Sequence, residues 1–338
     1  MTEPTNNANV ELNGPKAGPG TTPQGTDAVE AEKAVLREAN VPAGPPKKPR
    51  RLSRRALIMR RFWRSAGAKV GVIGLALVIL LAIFGPFFAK WDYWVSDDRA
   101  FLTAPDSIHW FGTNQGGFDM FAMTMEGLRK SLIIGFAVAF FVEVLAALIG
   151  SAAAYFGKIV EKVILWVIDL LLVIPSFLLI AIMSQHAGGG GSGSVWVLIL
   201  LLTAFGWMLS ARVVRAMTLS VVNLDYVVSA RYMSVPPFTI IVKHVIPNIA
   251  SYLIIDFTLG VVVAIMGETA LSFFGFGVQK PETSLGTLLA DGMGSATTSP
   301  WIFLAPAGVL VILLLCVNFI GDALRDAIDP SSKSGGQA

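Results

Sequence analysis

The sequence predicts an all-α protein that crosses a membrane several times. Hydrophobic residues make up 54% of the 338 residues and charged residues only 14%, which is more apolar surface than a soluble protein of this length can bury. The apolar residues occur in runs of about 20 or more, the length that a helix needs to cross about 30 Å of hydrocarbon. Six such runs predict six transmembrane helices.

The amino-terminal region divides into two segments of different composition. Residues 1–46 are rich in Pro, Gly, Thr, Asn and Ala, cannot bury enough surface to fold, and are expected to be disordered. Residues 47–69 are a basic cytoplasmic segment, in which Lys and Arg side chains precede the first apolar run. We expect this segment to lie against anionic membrane lipid, and the alternative, nucleic-acid binding, is disfavoured by the apolar runs that follow.

The first predicted span, residues 70–89, is too long and too far along the chain to be a cleavable signal peptide. Basic residues before it predict a cytoplasmic amino terminus, and six spans return the carboxyl-terminal tail, residues 327–338, to the same side. The loops agree, because Lys and Arg occur in the predicted cytoplasmic loops and not in the external segment 185–193. The other spans are expected at about 131–155, 159–183, 194–217, 249–274 and 301–320.

Residues 90–130 are predicted to be extracytoplasmic. The segment is acidic, and it starts with Trp91, Tyr93 and Trp94, aromatic side chains that are typical of a membrane interface. Apolar side chains recur at helical spacing over residues 118–128, which predicts a separate helix lying on the outer surface before the second span. The alternative is a docking face for an external partner.

The segment 223–248 has the pattern of a short amphipathic helix between two apolar runs. Asn223 or Asp225 can cap the helix, and the prolines at 236 and 237 must end it. In the predicted orientation the helix is cytoplasmic, where a partner outside the membrane can push or pull it. The alternative is a surface helix that lies at the lipid headgroups.

Four carboxylates fall inside the predicted spans. An acid at the centre of a membrane helix costs about 2.5 to 3.5 kcal/mol, so each should face protein or water. A proton or ion site is one interpretation. Hydrogen bonding between helices, or exposure in a wet cavity, is favoured because no His, Lys or Arg is recognised as a partner in these spans. The four acids are Glu143, Asp169, Asp256 and Glu268, and Pro175 is expected to kink the span that contains Asp169.

The chain carries no recognisable nucleotide or catalytic motif. The glycine-rich stretch 188–194 lacks the Gly-Lys-Ser/Thr ending of a phosphate loop and is interpreted as a flexible turn. The histidines are predicted to lie on both sides of the membrane and cannot form one metal site, and the single Cys316 excludes an intrachain disulfide. We therefore expect no cofactor in this chain.

The loop 223–248 resembles that of permease subunits of bacterial ATP-binding-cassette importers. Those permeases carry Glu-Ala-Ala, three residues, Gly, nine residues, and then Ile-x-Leu-Pro or a close variant. Here Val228, Ser229 and Ala230 stand at the first motif, Ser234 stands at the glycine, and residues 244–248 stand at the closing segment. Val228 and Ser234 depart from the pattern.

Other segments resemble oligopeptide and dipeptide importer permeases in the same order along the chain, over about residues 109–330. Asp169 with Pro175, Glu268 with the segment 271–277, and the ending RDAIDP all match. The external segment resembles H-x-x-G-T-D-x-x-G-R-D, with departures at Asn114 and Phe118. The matched residues of that segment are His109, Gly112, Thr113, Gly117 and Asp119.

The resemblance is closest to the second of the two permeases, in the oligopeptide branch. It implies a type I importer permease fold with its core at 128–326, in a transport subunit of the bacterial cytoplasmic membrane rather than an enzyme. The implied partners are a homologous second permease, one or two ATP-binding-cassette ATPases that hold ATP and Mg²⁺, and an extracytoplasmic substrate-binding protein. Oligopeptides are the implied cargo, and dipeptides, nickel or other small solutes are the alternatives.

The resemblance also implies residue roles. Asp169 and Glu268 would shape the translocation pathway. The implied ATPase-coupling residues lie on a helix over 225–235, with Ser229, Ala230 and Ser234 on its docking face, and are Asp225, Tyr226, Val228, Ser229, Ala230, Arg231, Ser234 and Val235.

Two rival functions remain open from the residues. A proton-coupled secondary transporter would use the membrane acids and no ATPase, but the hydropathy shows no inverted repeats with broken helices. An integral-membrane enzyme would need polar residues clustered near one membrane face, which the sequence does not indicate.

Overall fold

The computed structural model describes residues 54–187 and 194–328, together with Glu30 and Lys33. Regular structure in the two long ranges is helical apart from two isolated β-bridges, so the predicted all-α class is confirmed. Apart from Glu30 and Lys33, the segment predicted to be disordered lies outside the described residues, as does most of the carboxyl-terminal tail. The helices are α1 (Arg54–Arg64), α2 (Ala66–Phe88), α3 (Met120–Phe156), α4 (Lys158–Val173), α5 (Ser176–Ala187), α6 (Ser194–Gly206), α7 (Met208–Val221), α8 (Asp225–Tyr232), α9 (Pro237–Ile240), α10 (Ile246–Phe273), α11 (Leu285–Met293) and α12 (Trp301–Ile328), with a π-helical turn at Ile241–Val245.

Four helical units are long and apolar enough to cross a membrane, namely α2, α3, the continuous run Pro237–Phe273, and α12. The number rises to six if each of two bent pairs is one span. The pair α4 and α5 bends by 75°, and the pair α6 and α7 bends by 44°. These six units overlap the six apolar runs of the sequence.

Pro175 lies at the sharper of the two bends, as expected. Ile174, which precedes it, has an extended backbone with ψ at 125°, the conformation that a following proline imposes. The helix resumes at once, because the Pro175 carbonyl accepts from the N–H groups of Leu178 and Leu179. The bend therefore separates α4 from α5 without leaving a loop.

Helix α3 is the centre of the packing, since it contacts α2, α4, α6, α7, α10, α11 and α12. Two glycines let its neighbours approach closely. A Cβ atom at Gly150 would lie 2.4 Å from the carbonyl oxygen of Ala211 on α7, and one at Gly135 would lie 2.4 Å from Ile265 on α10. Small residues at such crossings provide the van der Waals contact that holds membrane helices together.

The predicted separate helix on the outer surface is wrong. From Met120 onward those residues are the first turns of α3, which Asp119 caps by accepting the Ala122 N–H at 2.7 Å. Phe121, Met125 and Leu128 are buried within the chain, so they are also unavailable as an external docking face. Helical periodicity was the correct inference, but an apolar face that meets protein has the same pattern as one that meets lipid.

The segment before α3, which is predicted to be external, folds around His109, which is buried and hydrogen-bonds Asp119 through Nδ1 at 2.8 Å. The backbone N–H groups of His109 and Ile108 donate to the Asp106 carboxylate and hold the pKa of that carboxyl below its usual value. At the departure Asn114, the side-chain oxygen accepts from the N–H groups of Gly116 and Phe118, as an aspartate would. This motif therefore has a structural role.

Candidate functional site

Helix α8 has the position predicted for the coupling element, but it is shorter than predicted. It covers Asp225–Tyr232 rather than 225–235, and the residue at its N-cap is Leu224, whose side chain makes no capping bond. Asn223 instead donates to the Leu219 carbonyl oxygen at 3.1 Å, and Asp225 lies within the first turn. The prediction that one of these two side chains caps the helix is wrong.

The carboxyl end of α8 explains the residue type expected at 234. Ser234 has φ at 56°, in the left-handed region that favours glycine. Its N–H donates to the Arg231 carbonyl oxygen, and the Val235 N–H donates to that of Ala230, which together form a Schellman cap. Ser234 therefore preserves the turn that a glycine would make, at some cost in backbone strain.

Ser234→Gly is expected to stabilise the end of α8 by about 1 kcal/mol, since glycine adopts the left-handed conformation without a Cβ penalty. Hydrogen–deuterium exchange should then slow about fivefold at the amides of residues 229–235. Ser229→Gly, on the exposed side of the same helix, is the matched control and should accelerate exchange instead. Faster exchange in Ser234→Gly would contradict the assigned cap.

One face of α8 is buried against its own chain. Val227 is fully buried and Ala230 is 8% exposed, and both pack in a cluster with Ile240, Val245 and neighbouring residues of α7 and α10. Val235 is partly buried in the same cluster. The prediction that Ala230 faces a partner is therefore wrong, because so short a helix needs this apolar contact to stay folded. Val235 is likewise not free to dock.

The opposite face of α8 and the turn after it are exposed. Of the predicted coupling residues, Val228 is half-buried, and the exposed ones are Asp225, Tyr226, Ser229, Arg231 and Ser234. Sequence reasoning missed three larger side chains beside them: Tyr232 is 86% exposed, Met233 78% and Phe238 67%. We call these three the apolar patch. The sequence did contain a signal for this patch, because it places large apolar residues outside the face of the loop helix that is buried. Exposed apolar patches of this kind mark interaction sites.

Polar contacts tie the loop to the membrane helices. The Arg231 guanidinium lies 4.6 Å from the ring centroid of Tyr155 on α3, a cation–π contact. Asn248 on α10 donates to the Tyr226 hydroxyl and to the His244 carbonyl oxygen. These contacts join α8 and the loop around it to both α3 and α10.

The closing segment of the loop motif, residues 244–248, overlaps the π-helical turn Ile241–Val245 and continues into α10. Pro247 lies just after it, and a proline inside a helix removes one N–H and crowds the carbonyl four residues earlier. The chain widens there, and the Ile246 N–H donates to the carbonyl oxygen of Ile241, five residues back. Single π-helical turns of this kind are frequent at functional sites.

Asp169 has a basic partner that sequence reasoning did not recognise. Its carboxylate forms an ion pair with Arg212 of α7, and Glu161 of α4 likewise pairs with Arg215. Basic residues near the end of an apolar run also mark the predicted cytoplasmic side, so the sequence did not reveal that these two arginines contact α4. The pair holds α4 against α7, and a role of Asp169 in the pathway stays a prediction.

Glu268 is fully buried and joins three helices. Its carboxyl accepts from the hydroxyls of Ser131 on α3, at 3.1 Å, and Ser272 on α10, at 2.7 Å. The Ser131 hydroxyl oxygen also accepts the Leu285 N–H at the start of α11. This is the predicted hydrogen bonding between helices, and a side chain with no exposed surface does not line an open cavity.

A cavity of about 1050 Å³ lies between the segment before α3 and the chain that follows α10. Its walls include aromatic side chains, such as Trp94 and Phe118, and charged ones. Lys130 on α3 pairs with Glu282 at 3.0 Å and with Glu126 at 3.8 Å on this side of the molecule. The cavity combines apolar and charged groups, as small-ligand sites do.

Comparison with known proteins identifies the class of protein. Residues 144–334 match the family of binding-protein-dependent transport system inner membrane components, and the chain belongs to that family. Residues 53–105 match the N-terminal transmembrane domain of oligopeptide transport permease C. The predicted resemblance is confirmed, and so is the membrane location.

Among individual proteins, the chain is similar to the oligopeptide transport system permease protein OppC of Mycobacterium tuberculosis. The two are 48% identical over 282 residues, which cover 83% of this chain and 96% of that one. The proteins of the same name from Bacillus subtilis and Escherichia coli are 34% and 35% identical, over 80% and 81% of this chain and 88% and 90% of theirs. A chain from the inward-facing MetNI methionine ABC transporter matches at 19% identity with a TM-score of 0.48, over 62% of this chain and 97% of that one.

Proposed function

We propose that this chain is the second permease subunit of an ATP-driven importer that carries oligopeptides across the cytoplasmic membrane. The observation that carries the proposal is the 48% identity to the Mycobacterium tuberculosis permease over 96% of its length. Dipeptides, nickel and other small solutes remain the alternative cargoes, because permeases of this kind share their motifs.

In the proposed complex the chain pairs with a homologous second permease, and a substrate-binding protein delivers cargo from outside. Separate ATPase subunits bind ATP and Mg²⁺, so this chain holds no cofactor. The ATPases contact the apolar patch and the exposed residues of α8. Their nucleotide-driven movement reaches α3 and α10 through Arg231 and Asn248 and favours one of two helix arrangements over the other.

The complex is tested by affinity purification of the tagged chain from membranes in mild detergent. We expect a second permease and one or two ATPases to co-purify in fixed stoichiometry. Recovery of the folded chain alone, under conditions that preserve other membrane complexes, would contradict the proposal.

The proposed topology has six spans with both termini in the cytoplasm. After replacement of Cys316 by alanine, a cysteine at Gly294 should react with an impermeant thiol reagent on intact cells, and one at Ser220 should not. Both positions are exposed, and a Cβ atom at Gly294 meets no neighbour within 4 Å, so the two variants are matched in access. The reverse labelling pattern would overturn the orientation and the cytoplasmic coupling role.

A further inference from the structure

Two other membrane acids, Glu143 and Asp256, differ from Glu268, whose two oxygens both accept hydrogen bonds. Glu143 of α3 lies beside Asp256 of α10, and Tyr252 of α10 lies beside the same aspartate. Two acids this close repel each other when both are ionised, and a bound cation relieves that repulsion. Within the described ranges 54–187 and 194–328, neither acid forms an ion pair with a basic side chain.

One oxygen of this pair lacks a donor. Glu143 is only 9% exposed, and its Oε1 atom is buried without a hydrogen-bond partner among the residues that the structure describes. An unpaired buried acceptor costs about 1 to 3 kcal/mol, more when the group is charged. Glu268 has no such vacancy, because serine hydroxyls donate to both of its oxygens.

Glu143 lines a groove of about 460 Å³ between α3 and the start of α10, which is within the range of small-ligand pockets. The other groove residues are apolar, and they include Phe140, Val144, Leu253 and Phe257. A ligand that fits this groove has an apolar body and a single cationic donor. Within the described residues no group of three or more metal-ligating side chains occurs, which disfavours a metal ion as that cation.

We propose that the Glu143–Asp256 pair binds the primary ammonium group of a peptide in transit, while the groove holds an adjoining apolar side chain. The proposal rests on the proposed peptide cargo. An ammonium has three N–H donors and one positive charge, so it can donate to the unpaired Glu143 oxygen and offset the repulsion between the two acids. The ammonium could belong to the peptide amino terminus or to a lysine side chain.

The site is also connected to the coupling loop. The Tyr252 side chain, which lies beside Asp256, packs in the same cluster as Val227 and Ala230 of α8. Val242 of the π-helical turn and Ile246 after it line the groove itself. Movement of α8 under the ATPases would therefore change both the groove and the acid pair, which provides a route for releasing the ammonium group.

The test measures peptide accumulated per ATP hydrolysed by the complete importer in proteoliposomes, at saturating loaded binding protein. It compares tri-alanine, its Nα-acetyl form, and an Nα-acetyl tripeptide that contains lysine. For the wild-type complex we expect a ratio about tenfold higher for tri-alanine than for its acetyl form. If the acetylated lysine peptide restores the high ratio of peptide accumulated to ATP hydrolysed, the site binds any primary ammonium. If the ratio stays low, the site binds the peptide amino terminus. This comparison needs no variant, so it holds even where a substitution prevents assembly.

Glu143→Gln and Asp256→Asn are expected to lower the ratio for tri-alanine about tenfold, to that of its acetyl form. Asp322→Asn changes an exposed acid on α12 and is the matched control, which should behave as wild type. Equal ratios for tri-alanine and its acetyl form in the wild-type complex, or an unchanged preference in both variants, would overturn the site. Stimulated ATP hydrolysis with no peptide accumulation in any complex would overturn the peptide cargo, and the ammonium site with it.

Discussion

Placing aspartate at both Tyr232 and Met233 is expected to abolish the stimulation of ATP hydrolysis by loaded binding protein. These side chains are the most exposed of the apolar patch, and neither belongs to the cluster that holds α8 to its own chain. Burying a large apolar side chain contributes about 1.5 to 3 kcal/mol, so loss of both, with two added charges, should remove most of the docking energy. Stimulated hydrolysis in reconstituted complexes should fall at least about tenfold.

Ser220→Asp is the matched control for this double variant. It adds an acid at an exposed position near the end of α7, outside the apolar patch, and should leave stimulation unchanged. The membrane helices should remain folded in both proteins, as judged by melting temperature and yield. Full stimulation in the double variant would show that the ATPases act elsewhere on this chain.

Glu268→Ala is expected to destabilise the membrane core by about 3 kcal/mol. The substitution leaves the hydroxyls of Ser131 and Ser272 without their acceptor and opens a cavity where α3, α10 and α11 meet. Thermal unfolding of the purified protein in detergent measures the loss. Glu268→Gln is the control of nearly equal size and should lose about 1 kcal/mol, because the amide oxygen still accepts from one hydroxyl. A melting temperature unchanged in Glu268→Ala would exclude this carboxyl as the link between the helices.

The positions of the long helices and of the loop 223–248 were predictable, since apolar runs of membrane length and helix-ending prolines are local properties of a sequence. The kink at Pro175 was predictable for the same reason, because a proline constrains the backbone of its own segment. The left-handed conformation of Ser234 was not predictable from its residue type. The permease motif, which has glycine at that position, was the feature that indicated it.

Tertiary contacts explain what the sequence could not predict. Ala230 and Tyr232 are two residues apart, and only the packing of α8 on α7 and α10 decides that the first is buried and the second exposed. Similarly, Arg212 carries the same charge whether it marks a cytoplasmic loop or pairs with Asp169. The initial turns of α3 gave an amphipathic pattern without revealing whether protein or lipid covers it.

The central claim is ATP-driven import by a complex that contains this chain, and accumulation of a labelled oligopeptide in proteoliposomes tests it most directly. We expect accumulation that requires loaded binding protein, stops when ATP is replaced by a non-hydrolysable analogue, and continues when a protonophore collapses the proton gradient. Accumulation that persists without ATP hydrolysis and stops with the protonophore would contradict the account and favour a proton-coupled transporter.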